Sequence, residues 1–243
     1  MKKLLIILFL LLVLPYSASA LTLTVYPDPD PETTSVDGNN QTAGNGTWSV
    51  VHDATTGTVS DSTANIWVVT ALDTGLYKIA RGFILFDTSS LPDDAVISAA
   101  TVDLTNNSTS NTDINNMSLG IVASTPASNT AIAAGDFDNF TLHSDTVYGS
   151  IDLTAFIDNA THTITLNAGG ITAIDKTGIT KYGLRISGDY NETAGHGSAP
   201  GGANETQVRM SETAGTASDP ALTITYTVPS GAAAKKKIFI DND

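Results

Sequence analysis

The run Arg81-Gly-Phe-Ile-Leu-Phe-Asp-Thr-Ser-Ser-Leu-Pro-Asp-Asp-Ala-Val-Ile-Ser-Ala-Ala-Thr-Val-Asp-Leu104 constrains the fold more than any other part of the chain. It spells two neighbouring strands and the turn between them. Gly82 to Phe86 is apolar at consecutive positions, as a strand covered on both faces must be. Leu91-Pro92-Asp93-Asp94 supplies turn chemistry, because proline presets φ and short acids bond nearby amides. Beyond the turn, Ala100, Val102 and Leu104 alternate with Thr101 and Asp103, so one side of that strand faces a core. Ile97 and Ala99 are out of phase with this triplet, which predicts a β-bulge near Ala99-Ala100.

The same grammar recurs along the chain. Leu21, Leu23 and Val25 alternate with threonine and stop at the proline comb Tyr26-Pro-Asp-Pro-Asp-Pro31. Strands are expected at Trp48–His52, Ile66–Thr70, Leu76–Ile79, Ser118–Ser124, Tyr148–Phe156, His162–Asn167, Tyr182–Ile186, Val208–Met210 and Ala221–Thr227. Polar surface loops are expected over Thr33–Gly46, Asn106–Asn116 and Asp189–Thr206. Short helical turns fit Pro126–Phe140 and Gly170–Thr180. About ten to twelve short strands with no sustained helical period predict an all-β chain, a single jelly-roll-type β-sandwich of two antiparallel sheets.

Residues 1–20 read as a secretory signal peptide: Lys2-Lys3, the apolar run Leu4–Leu14, then Ala18-Ser19-Ala20. The expected organisation is therefore a signal peptide over 1–20, a sandwich domain over 21–228 and a Lys-containing tail over 229–243. Its expected place is extracellular, at the cell surface, with no membrane span left after cleavage. Cysteine is absent, which excludes a disulfide framework and Cys-ligated zinc. Removing Lys2 and Lys3 takes the formal charge from −14 to about −16, so a nucleic-acid partner is not expected.

The Arg81 segment, read with Tyr182-Gly-Leu-Arg-Ile186 and Asp219-Pro-Ala-Leu-Thr-Ile-Thr-Tyr226, resembles the extracellular modules called DNRLRE or disaggregatase-related repeats, grouped with carbohydrate-binding module family ninety-six. The residues that carry the likeness are Arg81, Phe86, Asp87, Ser89, Leu91, Pro92, Ile97, Ser98 and Ala99, then Pro220, Leu222, Ile224 and Tyr226. Asn167–Arg185 is also similar to single-module surface proteins of uncultured microbes and viruses. The resemblance implies a secreted or cell-surface jelly roll, often one that binds polysaccharide.

Candidate sites follow from residue chemistry. A sugar platform must draw on Trp48, Trp67, Tyr77, Tyr148, Tyr182 and Tyr190. Trp67 and Tyr182 have the apolar flanks of core residues, whereas Tyr190, between Asp189 and Asn191 in a polar stretch, is the expected exposed ring, with Trp48 as a second. Arg81 and Arg185 are read as structural, in an internal ion pair with an aspartate such as Asp87. Hard oxygen ligands nominate structural Ca2+ at Asp28, Asp30 and Asp37, or at Asp136 with Asp138, although solvated loops explain the same clusters. Nine Asn-x-Ser/Thr sequons stand at Asn40, Asn45, Asn106, Asn107, Asn116, Asn139, Asn159, Asn191 and Asn204. Neither His-Glu-x-x-His nor Gly-x-Ser-x-Gly is present, and His52, His143, His162 and His196 are scattered. The expectation is a non-enzymatic module that binds a polysaccharide or glycoprotein surface through loops at one end, with self-assembly through edge strands and the tail as the alternative.

Overall fold

The computed structural model describes residues 19–42, 46–73, 75–111, 117–140, 146–193 and 202–229. The expected signal peptide, apart from the exposed Ser19 and Ala20, lies outside these residues, as does the tail from residue 230. The fold is all-β. Twelve strands are joined into one antiparallel sheet: β1 (Leu21–Val25), β2 (Asp37–Gln41), β3 (Thr58–Ser60), β4 (Asn65–Asp73), β5 (Leu76–Asp87), β6 (Val96–Asn111), β7 (Ser118–Ala123), β8 (Gly149–Asp152), β9 (Ala160–Thr165), β10 (Ile179–Ile186), β11 (Gly202–Arg209) and β12 (Ala221–Thr227). Helical pieces are α1 (Trp48–His52), α2 (Ala168–Thr172), α3 (Ser187–Tyr190) and a 3-10 turn over Ala134–Asp138. Among the described residues no helix is long and apolar enough to cross a membrane.

Two long strands let one sheet curl around its own core. Along β5, β4 pairs with Leu76–Ala80 and β10 with Gly82–Asp87 on the same edge, while β2 takes Ala80–Ile84 on the other. Along β6, β12 pairs with Val96–Asp103 and β11 with Asn106–Asn111, opposite β9 on Thr101–Asn106. Each long strand exchanges partners midway, β5 at Arg81 and β6 at Leu104-Thr105. Inward side chains then meet across the curl: Val102, Leu104, Ile164, Leu222 and Ile224 from one side against Ile84, Phe86, Ile121, Tyr182 and Leu184 from the other. Burial of such apolar surface, at about 25 cal/mol per Å², drives the closure.

The β5–β10–β7 layer is covered on its second face as well. Phe83, Leu85 and Val122 pack there against Val36, Ile132, Phe140 and Tyr190, so the consecutive apolar run of β5 is buried from Ile79 to Phe86 as its sequence required. A turn does form at Pro92, where the Ala95 amide donates to the Pro92 carbonyl at 2.9 Å, but the acid that bonds a nearby amide is Asp87, ahead of the expected Asp93-Asp94. Asp87 Oδ1 accepts the Ser89 amide at 3.0 Å, and Lys176 Nζ donates to the Asp93 and Ala95 carbonyls. Near Pro220 the chain enters β12, where Thr225 faces Ala99 but Tyr226 faces Ile97, so the bulge falls at Ser98, one residue before its expected place.

Four segments depart from the sequence reading. Trp48–His52 is a helix, not a strand. The expected loop Thr33–Gly46 contains β2, a buried strand of Asp37-Gly-Asn-Asn-Gln41. Strand β6 runs on through Asn106–Asn111, and the expected loop Asp189–Thr206 contains the end of α3 and most of β11. In each case tertiary pairing overrides weak local strand or helix preference.

Candidate functional site

Where β5 exchanges partners, Arg81 points to the covered face of the sheet, flanked by the outward residues Ile79 and Phe83. Arg185 of β10 lies on that same face, opposite the inward Leu184 and Ile186. Strand β10 ends directly in α3, and this single turn brings Asp189 back over Arg185. Asp189 Oδ2 accepts Arg185 Nε at 2.5 Å and Arg81 Nε at 2.9 Å, and Oδ1 accepts Arg81 Nη2 at 2.8 Å. All three side chains are at most 1% exposed. Arg81 completes its shell on the carbonyls of Phe137 (2.8 Å) and His52 (3.0 Å). Its guanidinium also lies 4.2 Å from the centre of the Phe137 ring. Burial would raise the Asp189 carboxyl, but the two guanidinium charges and their hydrogen bonds outweigh it and hold the group well below the ordinary carboxylate range.

Above this ionic centre the surface carries an aromatic ledge. His52 sits between the two, its Nδ1 2.6 Å from Asp53 Oδ1 and its Nε2 3.2 Å from the Asp189 carbonyl. The Trp48 indole stacks on the His52 ring with centroids 5.0 Å apart, and Tyr77 meets Trp48 edge-on at 5.2 Å. Trp48 and Tyr77 are half-buried, while neighbouring Val50 and Leu76 are exposed at 64% and 41%. The exposed carboxylate of Asp53 borders the ledge. Two aromatic rings held by packing, with a polar group at their rim, can stack on an apolar ligand face and bond its polar edge.

The residues nominated from sequence are placed differently from one another. Tyr190 is not the exposed ring of the polar stretch. It is 7% exposed and lies across Gly120, where an added Cβ would stand 2.6 Å from its Cε1. Asp189, nominated with it, is the buried counter-ion just described, and Asn191 alone of the three is exposed. Arg81 and Arg185 do form an internal ion pair, but with Asp189; Asp87 instead caps its own turn through Ser89. The missed signal is the Arg-x-x-x-Asp spacing at the end of a strand. Trp48 keeps its place as a platform candidate, joined by Tyr77.

Among the nominated calcium ligands, Asp28 is taken by Thr33 and Thr34, whose amide and hydroxyl donors outweigh burial and lower its pKa. Asp30 is exposed on the proline comb, and Asp37 is fully buried against Ser211. Asp136 accepts the amides of Ala127 and Ala133 and the side chain of Asn139, while Asp138 is half-buried on the same turn. Among the described residues, no three His, Asp or Glu side chains are grouped so as to share one metal ion.

Sequons divide in the same way. Asn40, Asn106 and Asn204 have no exposed surface, so a folded chain has no room for a glycan on them. Asn40 gives its amide hydrogens to the carbonyls of Ala133 and Ala134, and Asn106 bonds Phe156, Thr109 and Asp158. The half-buried Asn107 and Asn139 donate to Gln207 and Asp136. Asn159 and Asn191 are exposed, and Asn45 and Asn116 lie outside the described residues. No protein-family model matches the chain, and no curated protein matches it. The likeness to the DNRLRE modules therefore rests on the residues quoted for it.

Proposed function

We propose that this chain is an exported, non-catalytic surface module of jelly-roll type that binds carbohydrate or a cell-surface polymer, with Trp48 and Tyr77 as its stacking ledge. The observation that carries this reading is the pair of rings at the surface, stiffened from below by His52 and the ionic centre. A formal charge of −14 favours neutral or amino-bearing sugars over uronates and sulfated glycans. A glycan array with the secreted protein tests it. A saccharide bound by the wild type is expected to lose about tenfold or more in affinity on Trp48→Ala or Tyr77→Ala, the equivalent of one aromatic anchor. Trp67→Phe is expected to leave binding intact. Unchanged binding in both ledge variants removes the ledge from the function.

A second reading, as a structural subunit of a surface layer, filament or virus-like particle, is favoured by β1. This strand ends the hydrogen-bonded order of the sheet, pairs with β12 alone among the described residues, and carries no charged residue. An unguarded edge of this kind invites another strand. Sedimentation analysis is expected to show concentration-dependent assembly that disappears with Thr22→Lys, which puts a charge on the edge, or on deletion of residues 229–243. A monomer at all concentrations rejects this reading.

A further inference from the structure

Three groups converge on one hydroxyl beside Asp37, which lies in β2 with 0% exposure. Ser211 Oγ stands 3.0 Å from Asp37 Oδ1 and 2.9 Å from the main-chain oxygen of Asp28, while the Ser211 amide donates to Asp37 Oδ2 at 3.0 Å. Glu212 Oε1 is more distant from the same hydroxyl, at 3.4 Å. A serine hydroxyl carries one hydrogen, and a main-chain carbonyl can only accept. If the hydrogen goes to Asp28, the contact with Asp37 is a hydrogen bond only when Asp37 is itself the donor. If it goes to Asp37, two oxygen lone pairs face each other at the Asp28 contact. The proton count therefore closes with a neutral carboxyl.

The surroundings agree. The charged groups that act on Asp37 from the β11–β12 connection are Glu212 and Asp219, both acids. On the β1–β2 and β3–β4 connections the ionisable residues are four acids, Asp28, Asp30, Glu32 and Asp61, and Tyr26. On β5, the strand paired with β2, Arg81 is engaged by Asp189, Phe137 and His52. Among the described residues, no cation compensates this carboxyl as the two arginines compensate Asp189.

We propose that Asp37 keeps its proton in the folded protein and that the relay from Asp37 through the Ser211 hydroxyl to the Asp28 carbonyl is a proton-dependent latch, tying the segment after β1, strand β2 and the β11–β12 connection together and releasing them in alkaline solution. Burial, reinforced by Glu212, pushes this carboxyl up to about 8 against the hydrogen bonds from Ser211. An unfolded aspartate titrates near about 3.9, so the folded chain holds the extra proton across the interval. The latch's contribution is fully present below about pH 4. It falls as pH rises, about tenfold in the folding equilibrium constant per pH unit, until about pH 8.

Asp37→Asn reproduces the neutral acid, because its amide nitrogen donates to Ser211 Oγ and its oxygen accepts the Ser211 amide, without titrating. Urea unfolding of both proteins from about pH 5 to about pH 9 isolates this one group, since the other ionisable residues are shared. The variant-to-wild-type ratio of folding constants is expected to climb about tenfold per unit and level off near about pH 8. A ratio independent of pH overturns the proposal. Should the variant not fold, infrared spectra of the wild type decide: a buried protonated-carboxyl band lost between about pH 7 and about pH 9 is expected, and its absence at about pH 6 refutes the latch. The wild-type titration is expected to be the same with calcium chloride and with EDTA. A calcium-dependent shift would mean that a cation, not a proton, neutralises the group.

Discussion

Asp189 and Asp37 are both buried aspartates, yet their environments drive them in opposite directions. Asp189 accepts from two guanidinium groups and is held charged, below the ordinary carboxylate range. Asp37 meets one serine and two further acids, and is held neutral, near about 8. Burial penalises the charged form at both places. The difference is whether the sheet delivers a cation. The partner exchange on β5 delivers Arg81, and the matching face of β10 delivers Arg185. At the β2 end of the sheet none of the described elements supplies one to Asp37.

The largest expected effect breaks the compensated centre. Asp189→Asn leaves two arginine charges buried without their counter-ion, and removing one partner of such a pair costs about 3–5 kcal/mol. Urea denaturation of the variant should show a loss of that size, with a change in Trp48 fluorescence because the ledge rests on this centre through His52. A loss below about 1 kcal/mol would mean that water, not Asp189, already satisfies the arginines.

The second prediction uses both aspartates at once. Asp189 has a depressed pKa, so its contribution is present above about pH 4 and is lost only as pH falls below that value. Asp37 has a raised one, so its contribution is lost as pH rises from about 4 to about 8, and Asp219, pushed up to about 6 by burial, adds a smaller loss in the same direction.

 The pH profile of thermal stability should therefore peak at about pH 4–5, on the acid side of the usual optimum. A maximum at or above about pH 7 would show that the acid-only site is screened or cation-bound after all.

A third prediction concerns the lid over the ionic centre. Gly183 lies mid-strand in β10, and a Cβ there would stand 2.2 Å from Cε1 of Phe140, whose ring lies 5.5 Å from the Arg185 guanidinium. Gly183→Ala must displace that ring, and overpacking of this kind costs about 1–3 kcal/mol. Calorimetry should show the lower melting temperature, and hydrogen exchange should show faster opening around Arg185 than in the wild type. Unchanged stability would mean that the centre does not depend on its aromatic cover.

These placements also mark what the sequence makes legible. The β5 run and the Leu-Pro-Asp-Asp turn can be read because both faces of one strand and the turn residues are written in consecutive positions. Strand β12 can be read from its alternation of apolar residues with threonine. Strand β2 cannot, because Asp37, Asn39 and Asn40 are turn formers whose polar groups find remote partners in Ser211, the Trp67 carbonyl and the Ala133 and Ala134 carbonyls. Such contacts span up to 174 positions of sequence and leave no local trace. Trp48-Ser-Val-Val-His52 has the composition of a strand, but one helical turn lets Val51 join Ile79 and Phe137 while His52 reaches Asp189. The burial of Tyr190 had a faint signal in Gly120, since a glycine inside a strand often marks a close approach from above. The polar neighbours of Tyr190 pointed the other way, because one of them, Asp189, is polar for an internal partner.

The smallest effects test whether the same contrast holds for uncharged groups. Asn106 is a buried amide satisfied by Phe156, Thr109 and Thr206, so Asn106→Gln should cost about 1–3 kcal/mol by displacing those bonds. Asn159 is exposed and bonded to Arg209 at the surface, so Asn159→Gln should stay within about 0.5 kcal/mol, although its left-handed φ of 56° gives asparagine a modest local preference. Expression in a glycosylating secretory host adds a covalent readout. Peptide mass mapping of the folded, secreted protein should find glycans at Asn159 and Asn191 and none at Asn40, Asn106 or Asn204. A glycan on any of those three would require the β2 or β6–β11 region to open, and would break the contrast between buried groups that the fold satisfies and exposed ones that it leaves to solvent.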